Sequence, residues 1–418
     1  MSSFLALRRV RSFSSATAAA VTSTAPATDA VSDATAASVL TISRAKYKLR
    51  TEYDPDKALE IYATVSEHYT SPLSSRYAQD LTVKRLARAR RFKDIEKLIE
   101  SHKNDPKIKQ EPFLTTLIRS YGLAGMFNHA LNTYNQMDEL GTPRTAVSFN
   151  GLLSACNCSK LFGKVPQLFE EMSEKHGLKP NKFSYGILIK AYCEIGSPEL
   201  GIERMREMEE KGIEVTAVVF TTILHSLYKR GNVEEAERLW DEMVRKKCEL
   251  DVGAYNVRLM HAHNGEPESV KKLITEMSDA GIKPDTISYN YLMNCYCENG
   301  MMAEAKKVYE GLEGNCCNPN AATFRTFIAH LCNKEMFEYG YKVFKKSVSL
   351  NKIPDFGTLK PLVEGLVKKS NKKDAKGLIR TLRKKFPQKI LKAWDQVEVE
   401  LGLISTDSAE DNTKAPRT

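Results

Sequence analysis

The sequence predicts an all-α fold, an α-solenoid in which about nine to ten helix-turn-helix repeats of 35 residues stack into a superhelix. A recurring cassette, two amphipathic stripes in each period and the lack of any alternating, strand-like run carry that expectation. The clearest cassettes read Gly177-Leu-Lys-Pro-Asn-Lys-Phe-Ser-Tyr-Gly186 and Gly281-Ile-Lys-Pro-Asp-Thr-Ile-Ser-Tyr-Asn290. Aligned on the residue that follows the aromatic, or on its slot, successive copies fall at Asp80, Thr115, Asn150, Gly186, Thr221, Asn256, Asn290, Arg325 and Lys360. The steps are 35, 35, 36, 35, 35, 34, 35 and 35 residues. A unit this short cannot close an apolar core alone and must bury its face against like neighbours.

Each element follows from local pattern. The first 28 residues hold Arg8, Arg9 and Arg11, many Ser, Ala and Thr, and no acidic residue, so residues 1–35 read as a disordered organellar transit peptide. Arg11-Ser-Phe-Ser14 is similar to the context in which mitochondrial presequences are cut, which makes the mitochondrial matrix the expected location and the plastid the alternative. A degenerate first helical unit follows over residues 36–75, where Asp54-Pro-Asp56 marks a helix start. The array proper spans 76–385. In the copy built on Thr221, Phe220, Ile223, Leu224 and Leu227 form one helical stripe, Gly231-Asn232 breaks it, and Val233, Ala236, Leu239, Trp240 and Met243 form a second. Glu234 and Glu235 open that second helix and Arg245, Lys246 and Lys247 close it, as the helix dipole favours. Residues 386–404, with Ala393, Val397 and Leu401, read as a helix capping the open core, and 405–418 as a disordered polar tail.

Composition excludes several classes. A hydrophobic content of 42% supplies a continuous core, yet no uninterrupted apolar run is long enough for a secretory signal or a membrane span. The cysteines pair as Cys156-x-Cys158, Cys295-x-Cys297 and Cys316-Cys317, none with zinc-knuckle spacing. Cys193, Cys297 and Cys332 each lie seven residues after an anchor, where a small side chain packs against the next unit, and the odd total of nine argues for free thiols. His261-x-His263 precedes Asn264-Gly265 at a helix end and lacks a metal-protease pattern; no Gly-rich phosphate loop occurs. No metal and no cofactor are expected.

Tetratricopeptide arrays, the generic protein-binding alternative, carry Trp, Leu-Gly and Tyr in the first helix, a signature missing here. Instead the copies carry Lys179-Pro-Asn, Lys283-Pro-Asp, Asn318-Pro-Asn and Ile353-Pro-Asp, three intervening residues, then an aromatic or its substitute and the anchor. In these residues, from about Asp80 to Lys385, the chain resembles the pentatricopeptide repeat family, in its P-type branch of uniform units. That resemblance implies a right-handed superhelix binding single-stranded RNA, one unit per base, each base read by two or three side chains. On matching positions it implies that Thr221 with Asp251 prefers guanine, Asn256 with Asp285 uracil, and Asn290 with Asn320 cytosine over uracil, while Asn150 with Asn181 reads a further pyrimidine. Val147, Val218 and Ile287 take the slots that wedge between bases. Gly253, Pro112, Ala322 and Gly357 lack the wedge, and Asp80/Gln110, Thr115/Thr145, Gly186/Thr216 and Arg325/Asp355 match no reliable pairing. The bland reading of the polar residues is helix capping.

The net charge of +10 is concentrated at one end: eleven Lys or Arg and only Asp374 lie between Lys368 and Lys392, and the rest sums to zero. Lys368, Lys369, Lys372, Lys373, Arg380, Arg383, Lys384 and Lys385 are the expected phosphate-binding residues, giving affinity without sequence information. The function expected is non-catalytic binding of organellar RNA, single-stranded or ribosomal, with mitochondrial ribosomal proteins as neighbours and neither membrane insertion nor DNA binding. A transcript-specific factor and a protein-binding scaffold are the alternatives. Catalytic relatives append a nuclease, MutS-related or deaminase-like module, and fewer than 35 residues follow Lys385, none of them Cys or His.

Overall fold

The computed structural model describes residues 42–66, 72–386 and 388–403. The transit peptide expected over 1–35 and the tail expected over 405–418 lie outside the described residues.

The described residues form ten helical pairs and one terminal helix, and no strand occurs among them. In chain order the pairs are α1 and α2 (Ile42–Thr51, Pro55–Ser66), α3 and α4 (Pro72–Arg88, Phe92–His102), α5 and α6 (Glu111–Leu123, Phe127–Asn135), α7 and α8 (Ala146–Cys158, Val165–Lys175), and α9 and α10 (Lys182–Glu194, Pro198–Glu210). They continue as α11 and α12 (Ala217–Arg230, Val233–Arg245), α13 and α14 (Val252–Ala262, Pro267–Asp279), α15 and α16 (Thr286–Glu298, Met302–Gly311), α17 and α18 (Ala321–Asn333, Phe337–Ser349), and α19 and α20 (Phe356–Lys368, Lys372–Lys385). Helix α21 (Gln388–Glu400) follows and packs on α20.

The cassette explains the punctuation. Gly281 ends α14 in the left-handed region at φ 75°, where a side chain would be strained. Pro284 cannot continue a helix, and Asp285 then caps α15. The aromatic of four copies is core: Phe149, Tyr185, Phe220 and Phe324 are essentially inaccessible, whereas Tyr289 is half-buried, and fully burying such a side chain contributes about 2 to 3 kcal/mol. First helices pack on first helices along the whole series, from α1 on α3 to α17 on α19, and most second helices fill the notch between their own first helix and the next. Helices α5 and α7 approach so closely that a Cβ on Gly122 would lie 2.4 Å from the Ala155 Cα. Any larger residue there must push the two helices apart.

The main core is continuous from Val83 to Met277 and again from Leu259 to Leu403, with the changeover inside the α13–α14 pair. Cys297 and Cys332 are buried and Cys193 is half-buried, and burial pushes all three thiols up to about 12. All nine cysteines are free. The two ends of the described array also touch: Tyr53, between α1 and α2, meets the Phe386 ring edge-on at 5.4 Å.

Candidate nucleic-acid interface

The fifth residue of every first helix from α5 to α19 is a repeat anchor: Thr115, Asn150, Gly186, Thr221, Asn256, Asn290, Arg325 and Lys360. The residue just before each of these helices is the N-cap, and from α7 onward these are Thr145, Asn181, Thr216, Asp251, Asp285, Asn320 and Asp355. Because the first helices stack, the anchor of one helix and the N-cap of the next come together. The expected reading partners are therefore neighbours across a helix junction.

Three of the four pairs are joined directly. Asn150 donates from Nδ2 to Asn181 Oδ1 at 3.3 Å, Asn256 to Asp285 Oδ1 at 3.2 Å, and Asn290 to Asn320 Oδ1 at 3.5 Å. In each case the anchor's Oδ1 accepts a hydroxyl from the third residue of the next helix: Ser184 at 2.7 Å, Ser288 at 2.8 Å and Thr323 at 2.8 Å. That same hydroxyl also accepts the N-cap's backbone N–H, closing a capping box. Capping thus belongs to Asn181, Asp251, Asp285 and Asn320, and Asn150, Asn256 and Asn290 sit one turn inside the preceding first helix, where they brace three of these caps.

Bracing fixes which atom each cap leaves unspent. Asp285 Oδ1 accepts the Ile287 and Ser288 N–H groups at 2.9 and 3.0 Å, and among the described residues Oδ2 has no partner. In Asn320 the Oδ1 takes the Ala322 and Thr323 N–H groups at 2.9 and 3.0 Å, and among the described residues the donors of Nδ2 have no partner. Asn181 is oriented the same way by Phe183 and Ser184. One cap therefore presents an acceptor and two present donors. The fourth pair differs: Asp251 caps through Ala254 at 2.8 Å, Thr221 bonds back to the Val218 carbonyl at 3.1 Å, and no bond joins the two among the described residues.

The expected wedge residues occupy the second position of their helices. Val147 is 46% and Val218 63% exposed, whereas Ile287 is half-buried. Phe183, absent from the wedge set expected above, holds the same position in α9 and is 64% exposed. Its signal was its place two residues after the cap Asn181.

The basic end divides. Lys368 and Lys369 share Glu335 at 2.8 and 3.0 Å, holding that carboxyl at about 2, and Arg383 is clamped by Asp395 at 2.6 Å and by Glu398. Lys372, Lys373, Arg380, Lys384 and Lys385 are exposed and form no ion pair among the described residues, and neither does neighbouring Lys376. These six belong to α20, a second helix, so they do not continue the row of anchors, which lies on first helices.

His261 stacks on Tyr228 at 4.6 Å while His263 lies against Tyr291 at 5.1 Å. Among the described residues no three His, Cys, Asp or Glu side chains converge as a metal site, and no helix is long and apolar enough to cross a membrane.

A row of paired polar residues at repeat junctions, held by stacked helical hairpins, defines a helical-repeat protein of the pentatricopeptide type. The profile of the PPR repeat family matches residues 144–194, 215–260 and 284–333, and that of the PPR repeat matches 114–142 and 183–213. The chain is 63% identical over 409 residues to the small ribosomal subunit protein mL103 (rPPR7) of Arabidopsis thaliana, covering 98% of this chain and 97% of that one. It is 60% identical over 371 residues to a mitochondrial pentatricopeptide repeat-containing protein of the same plant, with 88% of each covered. Among solved structures, the maize repeat protein PPR10 aligns with a TM-score of 0.42 at 18% identity, over 86% of this chain and 59% of that one. The chain belongs to the pentatricopeptide repeat family, and its relatives in Arabidopsis thaliana include pentatricopeptide repeat-containing proteins named as mitochondrial.

Proposed function

We propose that this chain is a non-catalytic RNA-binding protein of the mitochondrion that serves the mitochondrial ribosome by holding ribosomal RNA. The observation that carries the RNA reading is the row of braced caps, each with one unspent polar atom. An acceptor such as Asp285 Oδ2 suits a base edge that donates, as uracil does from N3. A donor such as Asn320 Nδ2 suits an edge that accepts, as cytosine does at N3. Thr221 with Asp251 takes guanine, which offers donors to the carboxylate, and Asn150 with Asn181 takes a pyrimidine. Val147, Val218 and Ile287 separate successive bases. Lys372, Lys373, Arg380, Lys384 and Lys385, helped by Lys368, Lys369 and Arg383, hold phosphates of folded RNA at the array's end.

The ribosomal setting is supported by the relative named as a ribosomal subunit protein, matched almost end to end. Few good pairs also favour a site fixed by assembly, since four cannot single out one transcript at about 1 to 3 kcal/mol each. The reading involves no chemistry: the unspent atoms belong to amides and carboxylates engaged in helix capping, none set up as a nucleophile.

Sedimentation of a mitochondrial lysate tests this. Co-migration with a ribosomal subunit through high salt, and with that subunit after magnesium chelation, is the expected result. Light fractions would indicate a free transcript factor. Retained protein partners with no RNA crosslink at Thr221, Asn256 or Asn290 would indicate a scaffold.

A further inference from the structure

The anchor and cap that match no base, Arg325 and Asp355, are not idle surface. They line a cavity of about 390 Å³ together with Tyr53, Phe356, Phe386 and Trp394, within the roughly 300 to 1,000 Å³ typical of small-molecule sites. The cavity forms where the two ends of the described array meet, because Tyr53 of the first pair reaches Phe386 beyond the last. Helix α21 supplies Trp394, whose ring stands edge-on to Phe356 at 4.8 Å. Phe356 and Tyr53 remain 37% and 41% exposed, so apolar ring surface faces water here. Arg325 is exposed and forms no ion pair among the described residues, and Asp355 spends only Oδ1, on the Thr358 N–H and hydroxyl at 3.0 Å.

We propose that this cavity binds one unstacked nucleotide of the RNA, in the position next to the one read by Asn290 and Asn320. The exposed rings of Tyr53 and Phe356 stack on the base, a contact every base can make, while Trp394, edge-on to Phe356, is buried. Arg325 pairs with its phosphate and the unspent Asp355 oxygen accepts from a ring or exocyclic N–H. The site is thus a sequence-tolerant clamp at the end of a weakly selective row, and it explains why a position without a code pair carries a cation and a carboxylate. The assignment rests on RNA following the row of anchors.

The chain has two tryptophans, Trp240 and Trp394, so Trp240→Phe leaves Trp394 as the reporter. Titrating the full chain with a short oligouridine is expected to shift Trp394 emission, and Phe356→Ala or Arg325→Gln to weaken binding roughly tenfold and remove the shift, with unchanged melting. Arg325 is on the surface, so its variant reports even where Phe356→Ala unfolds. Binding intact in both variants, with Trp394 emission unmoved, overturns the clamp and leaves the row of readers standing. No binding of oligouridine or of an equimolar-base oligonucleotide by the unaltered chain overturns the RNA reading itself. Free UMP matching the oligonucleotide in affinity at Trp394 would make the cavity a mononucleotide site and overturn the assignment to RNA.

Discussion

The junction between α5 and α7 and those at α7–α9, α13–α15 and α15–α17 use the same slot for opposite ends. At α5–α7 the buried Glu111 reaches across and spends both oxygens: Oε1 accepts the Thr145 and Ser148 N–H groups at 2.7 and 2.9 Å, and Oε2 the Thr145 hydroxyl at 2.8 Å. At the other three an Asn braces the cap and one polar atom stays unspent. A slot between stacked helices is therefore either sealed or left able to recognise, and the number of satisfied atoms tells which.

The sharpest way to break this contrast is to empty each slot. Glu111→Ala removes three charge-assisted bonds at a buried helix start and is expected to cost about 3 kcal/mol, read by urea unfolding, with oligouridine affinity unchanged in the cold. Asn256→Ala, by contrast, should cost about 1 kcal/mol while weakening RNA binding. Equal losses of stability in the two variants would erase the distinction between lock and reader.

The architecture was legible because period and apolar stripe are local signals: Phe220, Ile223 and Leu224 announce a buried face without any knowledge of neighbours. The pairing of Asn290 with Asn320 was legible only through a spacing of thirty residues, and the spacing does not show that Thr323 ties both together. A Ser or Thr three residues after each cap is the signal that would have found the brace. Glu111 was illegible, since its role depends on how closely Gly122 lets α7 approach α5. The meeting of Tyr53 with Phe386 depends on geometry accumulated over ten pairs, which no local pattern encodes. Lys368, Lys369 and Arg383 looked free for phosphate because Glu335, Asp395 and Glu398 come close only in the fold.

The contrast between donor and acceptor caps can be sharpened by a single atom. Asp285→Asn keeps the cap, since Asn caps as well as Asp, but replaces the unspent oxygen with an amide nitrogen. Preference at that position should move from uracil toward cytosine by about 2 kcal/mol, with stability nearly unchanged, in competition binding of oligonucleotides differing at one base. An unchanged preference would mean that the cap does not face a base.

A second comparison separates the row from α20. Replacing Lys372, Lys373, Lys384 and Lys385 by Gln should weaken binding to every RNA sequence alike, by about 1 kcal/mol near physiological salt, and flatten the salt dependence. The same change made at Asn290 and Asn320 should alter sequence preference and leave the salt slope intact. If the slope is unaffected by the four lysine substitutions, α20 faces solvent in the complex.

The smallest effect tests a histidine beside a reading junction. His330 of α17 bonds Asn294 of α15 at 3.0 Å, and burial lowers its pKa, Lys334 lowering it further and Glu298 opposing. Burial lowers the pKa of His102 and His176 in the same direction. Each folded histidine thus resists protonation that the unfolded chain accepts near the ordinary value of 6.5. Their contribution is complete above that value and is lost as pH falls below it toward the folded pKa, because the unfolded state then binds more protons. Urea unfolding at about pH 7.5 and about pH 5.5 should show lower stability in acid. His330→Gln should remove its share of the difference, whereas Glu111→Ala should leave that share in place. Equal stability at the two pH values in the unaltered chain would mean that these rings are not held neutral by the fold.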